Sequence, residues 1–260
     1  MDAPSPLSSP ATPRSAEYTI PIVVPPDVVW KAITDPKELE RWFPLSAKVS
    51  PGAGGMMQLR WDDIGMDHLA IRIWNPARHL QLAMPQPGES APVIHDFVLE
   101  DHGASTVLRL VAHGFDPRAQ WDEFYDGVKR GWRYELQSLR HYLEHHRGQD
   151  RAVAWVRTAI PMGAERAWAM LFASEHMRRD DRYTFDAPDG SVLSGTVIIA
   201  EHPTDFTGTV DTLNNAILRI EVLGVGLSIW LEAWGVPPMH IAAIQNAWQP
   251  TFDKLLGAYA

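Results

Sequence analysis

Ile20-Pro21-Ile22-Val23-Val24-Pro25-Pro26-Asp27-Val28-Val29-Trp30 is an extended apolar run that feeds a short helix. Its layout returns in Ala159-Ile160-Pro161-Met162-Gly163-Ala164-Glu165-Arg166-Ala167-Trp168. At one offset Ile22 falls on Ile160 and Trp30 on Trp168. The closing segments repeat as well. Gly131-Trp132 with Leu136, Leu139 and Leu143 is answered by Ala247-Trp248 with Phe252, Leu255 and Tyr259, both sets at helical spacing. Two strand–helix openings and two closing helices predict two similar domains. Two copies are too few to stack as a solenoid, so each closes a core of its own. A chain of 260 residues fits that division by the usual domain size.

Working outward, Pro25 and Pro26 start a helix that carries Val29, Trp30 and Ile33 inward. Thr34-Asp35-Pro36-Lys37-Glu38 then reads as a second helix start, with Asp35 as N-cap, Pro36 at the first helical position and Glu38 completing a capping box. Trp42-Phe43-Pro44 ends it. After the Gly52-Ala53-Gly54-Gly55 turn, residues 56–61, 68–74, 79–84, 93–100 and 105–115 have strand character. Consecutive strands with short turns predict an antiparallel meander. The closing helix places Tyr125, Val128, Trp132, Leu136, Leu139 and Leu143 on one face. The second copy repeats the order with strands near 153–160, 191–200, 206–212, 216–223 and 227–234, a helix over 164–172 and a last helix from Pro237-Pro238. Gly224-Val225-Gly226 reads as a turn. From Trp30 to Trp132 is 102 residues, but from Trp168 to Trp248 only 80, which predicts the loss of about one hairpin. Asp180 also stands where Trp42 would fall, so the first copy keeps more of a site. The expected organisation is a disordered leader over 1–16, rich in Pro and Ser, then domains over 17–148 and 152–260.

Composition narrows the function. The net charge is -9, with 15 basic and 20 acidic residues up to position 150 and 8 and 12 beyond it. Neither half has the basic excess that neutralising phosphates requires, so nucleic acid is not an expected partner. No apolar run approaches the ~20 residues of a membrane span. The absence of cysteine removes disulfides, a thiolate nucleophile and Cys-ligated metal, and fits a cytoplasmic protein. No G-x-S-x-G, phosphate loop or dinucleotide fingerprint is present.

Val28-Val29-Trp30-Lys31-Ala32-Ile33-Thr34-Asp35-Pro36, followed by Leu39-Glu40-Arg41-Trp42-Phe43, resembles the signature of the START-like (SRPBCC) superfamily. Within it the segment is similar to the family named after the activator of Hsp90 ATPase. Gly54-Gly55-Met56, His113-Gly114-Phe115 and Gly131-Trp132 also match that family's pattern, so the resemblance covers roughly residues 17–147. Residues 152–260 resemble the superfamily in element order and in two tryptophans. The resemblance implies an α+β architecture of two tandem helix-grip domains. In each, a curved antiparallel sheet wraps a long C-terminal helix, with an apolar cavity between them. It carries over no catalytic residue and implies no cofactor.

Trp42, Phe43, Trp61, Trp74, Phe97, Tyr125 and Trp132 are the candidate ligand-binding residues, their alternative being ordinary core packing. An aromatic wall with few polar groups suits a small hydrophobic or aromatic molecule. His141-Tyr142-Leu143-Glu144-His145 fits H-x-x-E-H with two His at i, i+4. The leucine stripe places both His on the opposite, wet face, so no metal site is expected there. His95-Asp96 and Asp67-His68 each put an acid beside a base, but neighbours in a strand face opposite ways. His95 or His113 facing the cavity would supply a general base, and both are expected at the surface instead. The leading expectation is therefore ligand binding in the first domain, with the question of catalysis left open. The alternatives are a chaperone-associated module with a protein partner, and a cyclase- or lyase-like enzyme. A buried His of shifted pKa would favour the enzyme.

Overall fold

The computed structural model describes residues 13–257, apart from 62–64, 87, 89, 90, 161, 173–175, 188, 224 and 225. Side chains are described as far as Lys254, so Leu255 and Tyr259 of the closing stripe, Pro161 of the repeated opening and Gly224-Val225 lie outside what can be compared. The chain divides between His145 and His146 into two compact units.

The first unit runs β1 (Arg14–Ile22), α1 (Pro26–Thr34), α2 (Pro36–Glu40), β2 (Ser46–Ser50), β3 (Met56–Arg60), β4 (Met66–Asn75), β5 (His79–Met84), β6 (Val93–Asp101), β7 (Thr106–Phe115) and α3 (Asp122–His141). The strands form one antiparallel sheet in the order β1-β7-β6-β5-β4-β3-β2. The five expected strands are β3 to β7. β1 begins at Arg14, so residues 14–16 pair with β7 and do not belong to a leader. Pro21 is tolerated in β1 because the strand lies at the sheet edge, where an N–H can be missing without breaking a ladder.

α1 starts at Pro26, whose missing N–H would have been an orphan in any case. Asp35 caps α2, its carboxylate accepting the N–H groups of Lys37 and Glu38. The capping box does not close. The Asp35 N–H donates to Lys31 O, which leaves Glu38 to pair with Arg41 at 2.9 Å and to accept the Tyr142 hydroxyl at 2.6 Å. The acid expected to finish a local cap instead fastens α2 to the end of the closing helix.

The second unit runs β8 (Arg151–Ala159), α4 (Ala164–Leu171), β9 (Arg182–Asp186), β10 (Val192–Glu201), β11 (Asp205–Val210), β12 (Ala216–Leu223), β13 (Gly226–Trp234) and α5 (Pro238–Gly257). Its sheet order is β8-β13-β12-β11-β10-β9. The order repeats the first unit with one strand fewer, where the spacing had suggested a whole hairpin. Among the described residues no helix stands between α4 and β9, so α2 has no counterpart there. The rest of the lost length is therefore α2 and its connections. Two antiparallel sheets, each with a helix at its opening and a long helix at its close, are tandem helix-grip domains.

Candidate functional site

Strand alternation decides which side chains of β6 meet the closing helix. Val93, His95, Phe97 and Leu99 share one face and are all buried. Trp132 of α3 lies against that face, its ring 5.4 Å from the His95 ring and 5.3 Å from Phe97. Phe43, delivered by the end of α2, stacks on Trp132 at 5.2 Å and on Trp42 at 4.8 Å, and meets the edge of Trp61 at 4.5 Å. Phe43 and Trp61 are only half-buried, so the cluster runs from solvent inward to Trp132, Phe97 and His95.

Five of the seven expected residues thus come together. Trp42 is fully buried behind Phe43, and its indole donates to Ala32 O at 2.9 Å, which makes it a structural wall. Trp74 meets Trp30 of α1 edge-on at 5.1 Å. Tyr125 joins Phe115 near the start of α3, donates its hydroxyl to Ser15 O and lies under Arg14. Within the cluster the rings touch one another, where the expectation had been an open cavity. An open depression of about 470 Å³ lies at the N-terminus of α1, lined by Pro25, Asp27, Arg78, Leu99 and Asp101, and none of the clustered rings lines it.

His95 had been expected at the surface and is 2% exposed. Neither of its ring nitrogens has a hydrogen-bond partner among the described residues. Burial, reinforced by the nearby His113, lowers its pKa from the ordinary 6.5 to about 4, while Asp96 works weakly the other way. The signal was present in the sequence: Val93, Phe97 and Leu99 set the inward parity of β6, and His95 shares it. Asp96 and His113 lie on the other face. There Asp96 accepts from Gln81 at 2.8 Å and pairs with His79 at 2.7 Å and with His113 at 3.0 Å. Burial works to raise the Asp96 carboxyl, and those three hydrogen bonds outweigh it and hold it below the usual carboxylate range.

The H-x-x-E-H segment is also placed differently. His141 is buried, because residues 138, 139, 141, 142 and 143 are covered on several sides as the helix widens into a π turn over Tyr142–His146. A one-stripe helical wheel does not hold at an end packed all round. Glu144 accepts the Val23 N–H, and no group of three or more metal-ligating side chains stands together among the described residues.

The second unit fills the corresponding frame with different side chains. Aligning Ile22 with Ile160 and following the strand registers carries Ala112 to Leu231, His95 to Leu218 and Leu82 to Gly208. Leu218 and Leu231 are wholly buried. Gly208 admits the Tyr183 ring, since a Cβ there would lie 2.5 Å from it. Phe172, Phe206, Phe185 and Trp248 fill the rest of the core. Leucine therefore replaces the buried imidazole and its alanine neighbour.

The class is defined by the fold, two helix-grip domains in tandem. Residues 23–144, within the first unit, match the family model described as activator of Hsp90 ATPase homolog 1-like protein. Among solved structures, a protein of Mesorhizobium loti is 22% identical, over 52% of this chain and 99% of its own, with a TM-score of 0.47. CalU16 of Micromonospora echinospora is 25% identical over 50% of this chain and 76% of its own, with a TM-score of 0.43. The di-domain ARO/CYC protein BexL from the BE-7585A biosynthetic pathway is 15% identical over 95% of this chain and 92% of its own, with a TM-score of 0.46. No curated protein matches. No described helix is long and apolar enough to cross a membrane.

Proposed function

We propose that the first unit binds a small hydrophobic or aromatic molecule between its sheet and α3, entering past Phe43 and Trp61 and stacking against Trp132 and Phe97. The observation that carries this is the difference between the two copies. One frame keeps half-exposed aromatic rings leading to a buried polar group, and the other is closed with leucines, Tyr183 and phenylalanines. Burial of ligand area contributes about 25 cal/mol per Å², and flat faces of Trp and Phe favour planar partners. The second unit serves as a structural companion, and the cysteine-free chain fits a cytoplasmic setting.

The buried His95 also favours the enzyme reading, and the sense of its shift weighs against it. An imidazole that takes up a proton only near pH 4 is neutral at physiological pH and a weak base, so it is suited to hydrogen bonding more than to abstracting protons. Native mass spectrometry of the whole chain, with extraction of co-purified molecules, tests the binding proposal. The expected result is a bound species of low mass and apolar character released by organic solvent. Protein purified from several hosts with no such species, and no uptake of added aromatic compounds, would remove it.

A further inference from the structure

We propose that the ligand of this site is a planar aromatic molecule carrying a hydroxyl, a phenol in chemical class, and that His95 is the residue that selects it. The inference rests on the binding site proposed above and goes beyond it in naming the polar feature the ligand must have. The apolar face of β6 would pack as well with leucine at this position, since the corresponding strand of the second unit carries Leu218. At 95 the chain instead keeps a side chain whose two nitrogens lack partners among the described residues, although buried polar groups are nearly always paired. Its neighbour across β7 is Ala112, where the second unit has Leu231, so the side chain beside the imidazole is small.

The chemistry of the missing partner follows from the imidazole. A neutral ring offers one N–H donor and one bare nitrogen acceptor. A hydroxyl is donor and acceptor at once and satisfies either nitrogen whichever tautomer is present. A carboxylate would have to leave water for an apolar surround of Trp132, Phe97 and Leu82 and meet only a neutral ring, which is unfavourable. Phe43 stacks on Trp132 in the structure, so a planar ligand that displaces Phe43 takes over that stacked place and its plane is set by the Trp132 ring. His95 acts here as a specificity residue.

The test uses the full chain and two probes of nearly equal shape, 2-naphthol and 2-methylnaphthalene, titrated by quenching of tryptophan fluorescence. The wild type should bind 2-naphthol about tenfold more tightly than 2-methylnaphthalene, the size of one net hydrogen bond in a buried site. His95→Leu should erase that preference, so that the two probes bind equally. A preference that survives in His95→Leu, or equal binding of the two probes by the wild type, would overturn the selection by His95 and leave the site itself standing. Binding of neither probe would overturn both. As a check independent of the variant's folding, the imidazole ¹⁵N resonances of His95 in the wild type should move on adding 2-naphthol and much less on adding 2-methylnaphthalene. No movement with 2-naphthol would count against the proposal.

Discussion

His95→Leu should make the protein more stable, and increasingly so in acid. At pH 7.5 the wild-type imidazole is neutral but buried, with neither nitrogen partnered among the described residues, a state that costs about 1–3 kcal/mol for an unsatisfied polar group. Leucine removes that penalty and packs as its counterpart Leu218 does, so a gain of about 1–2 kcal/mol is expected. On acidification the unfolded chain takes up a proton near the ordinary pH 6.5, whereas folded His95 resists until about pH 4. Between those values the unfolded state holds more protons, so wild-type stability falls as pH falls and levels off below pH 4. At 1.36 kcal/mol per pH unit, this group removes up to about 3 kcal/mol across the window. The variant lacks it. The groups that bear most on His95, His113 and Asp96 on the far face of the sheet, are common to both proteins, so they largely cancel in the difference. Urea unfolding followed by tryptophan fluorescence at pH 7.5, 6, 5 and 4.2 measures that difference. A stability gap that stays constant with pH, or a variant less stable by over 1 kcal/mol at pH 7.5, would refute the reasoning.

Trp42→Ala should destabilise by about 3–5 kcal/mol in chemical denaturation, since Trp42 is fully buried and its indole holds Ala32 O. Arg151→Met should cost about 3–5 kcal/mol, because the Arg151–Glu232 pair at 2.8 Å is almost wholly buried and the glutamate would keep its charge without its guanidinium. The double variant Arg151→Met with Glu232→Leu should recover most of that loss. Gly208→Ala should lower stability by about 1–3 kcal/mol, with thermal unfolding as the check, because the new methyl meets the Tyr183 ring at 2.5 Å and Phe206 at 2.9 Å.

The long elements were legible because their apolar periodicity is strong. β5 and β12 match their expected spans, and the stripe through Trp132, Leu136 and Leu139 of α3 and on to Leu143 in the π turn is buried as expected. β2 and β9 were not, because Ser46–Ser50 and Arg182–Asp186 are five-residue strands at sheet edges with too few apolar positions to stand out. The grouping of Phe43, Trp61, Phe97 and Trp132 was legible as composition but not as geometry. The same list held Tyr125 and Trp74, which pack elsewhere, and one-dimensional spacing does not say which ring meets which. His95 was missed because histidine is mostly found at surfaces. The alternation of β6 outweighed that tendency, since a strand's parity is set by all its residues together.

The central claim, that the first unit and not the second holds the ligand, is tested most directly by the indole N–H resonances of the full chain during titration with 2-naphthol. The 11 tryptophans report on both units. The expected result is saturable movement of the Trp61 and Trp132 signals, with Trp168 and Trp248 unmoved. Movement of Trp168 and Trp248 with Trp61 and Trp132 unchanged would contradict the account.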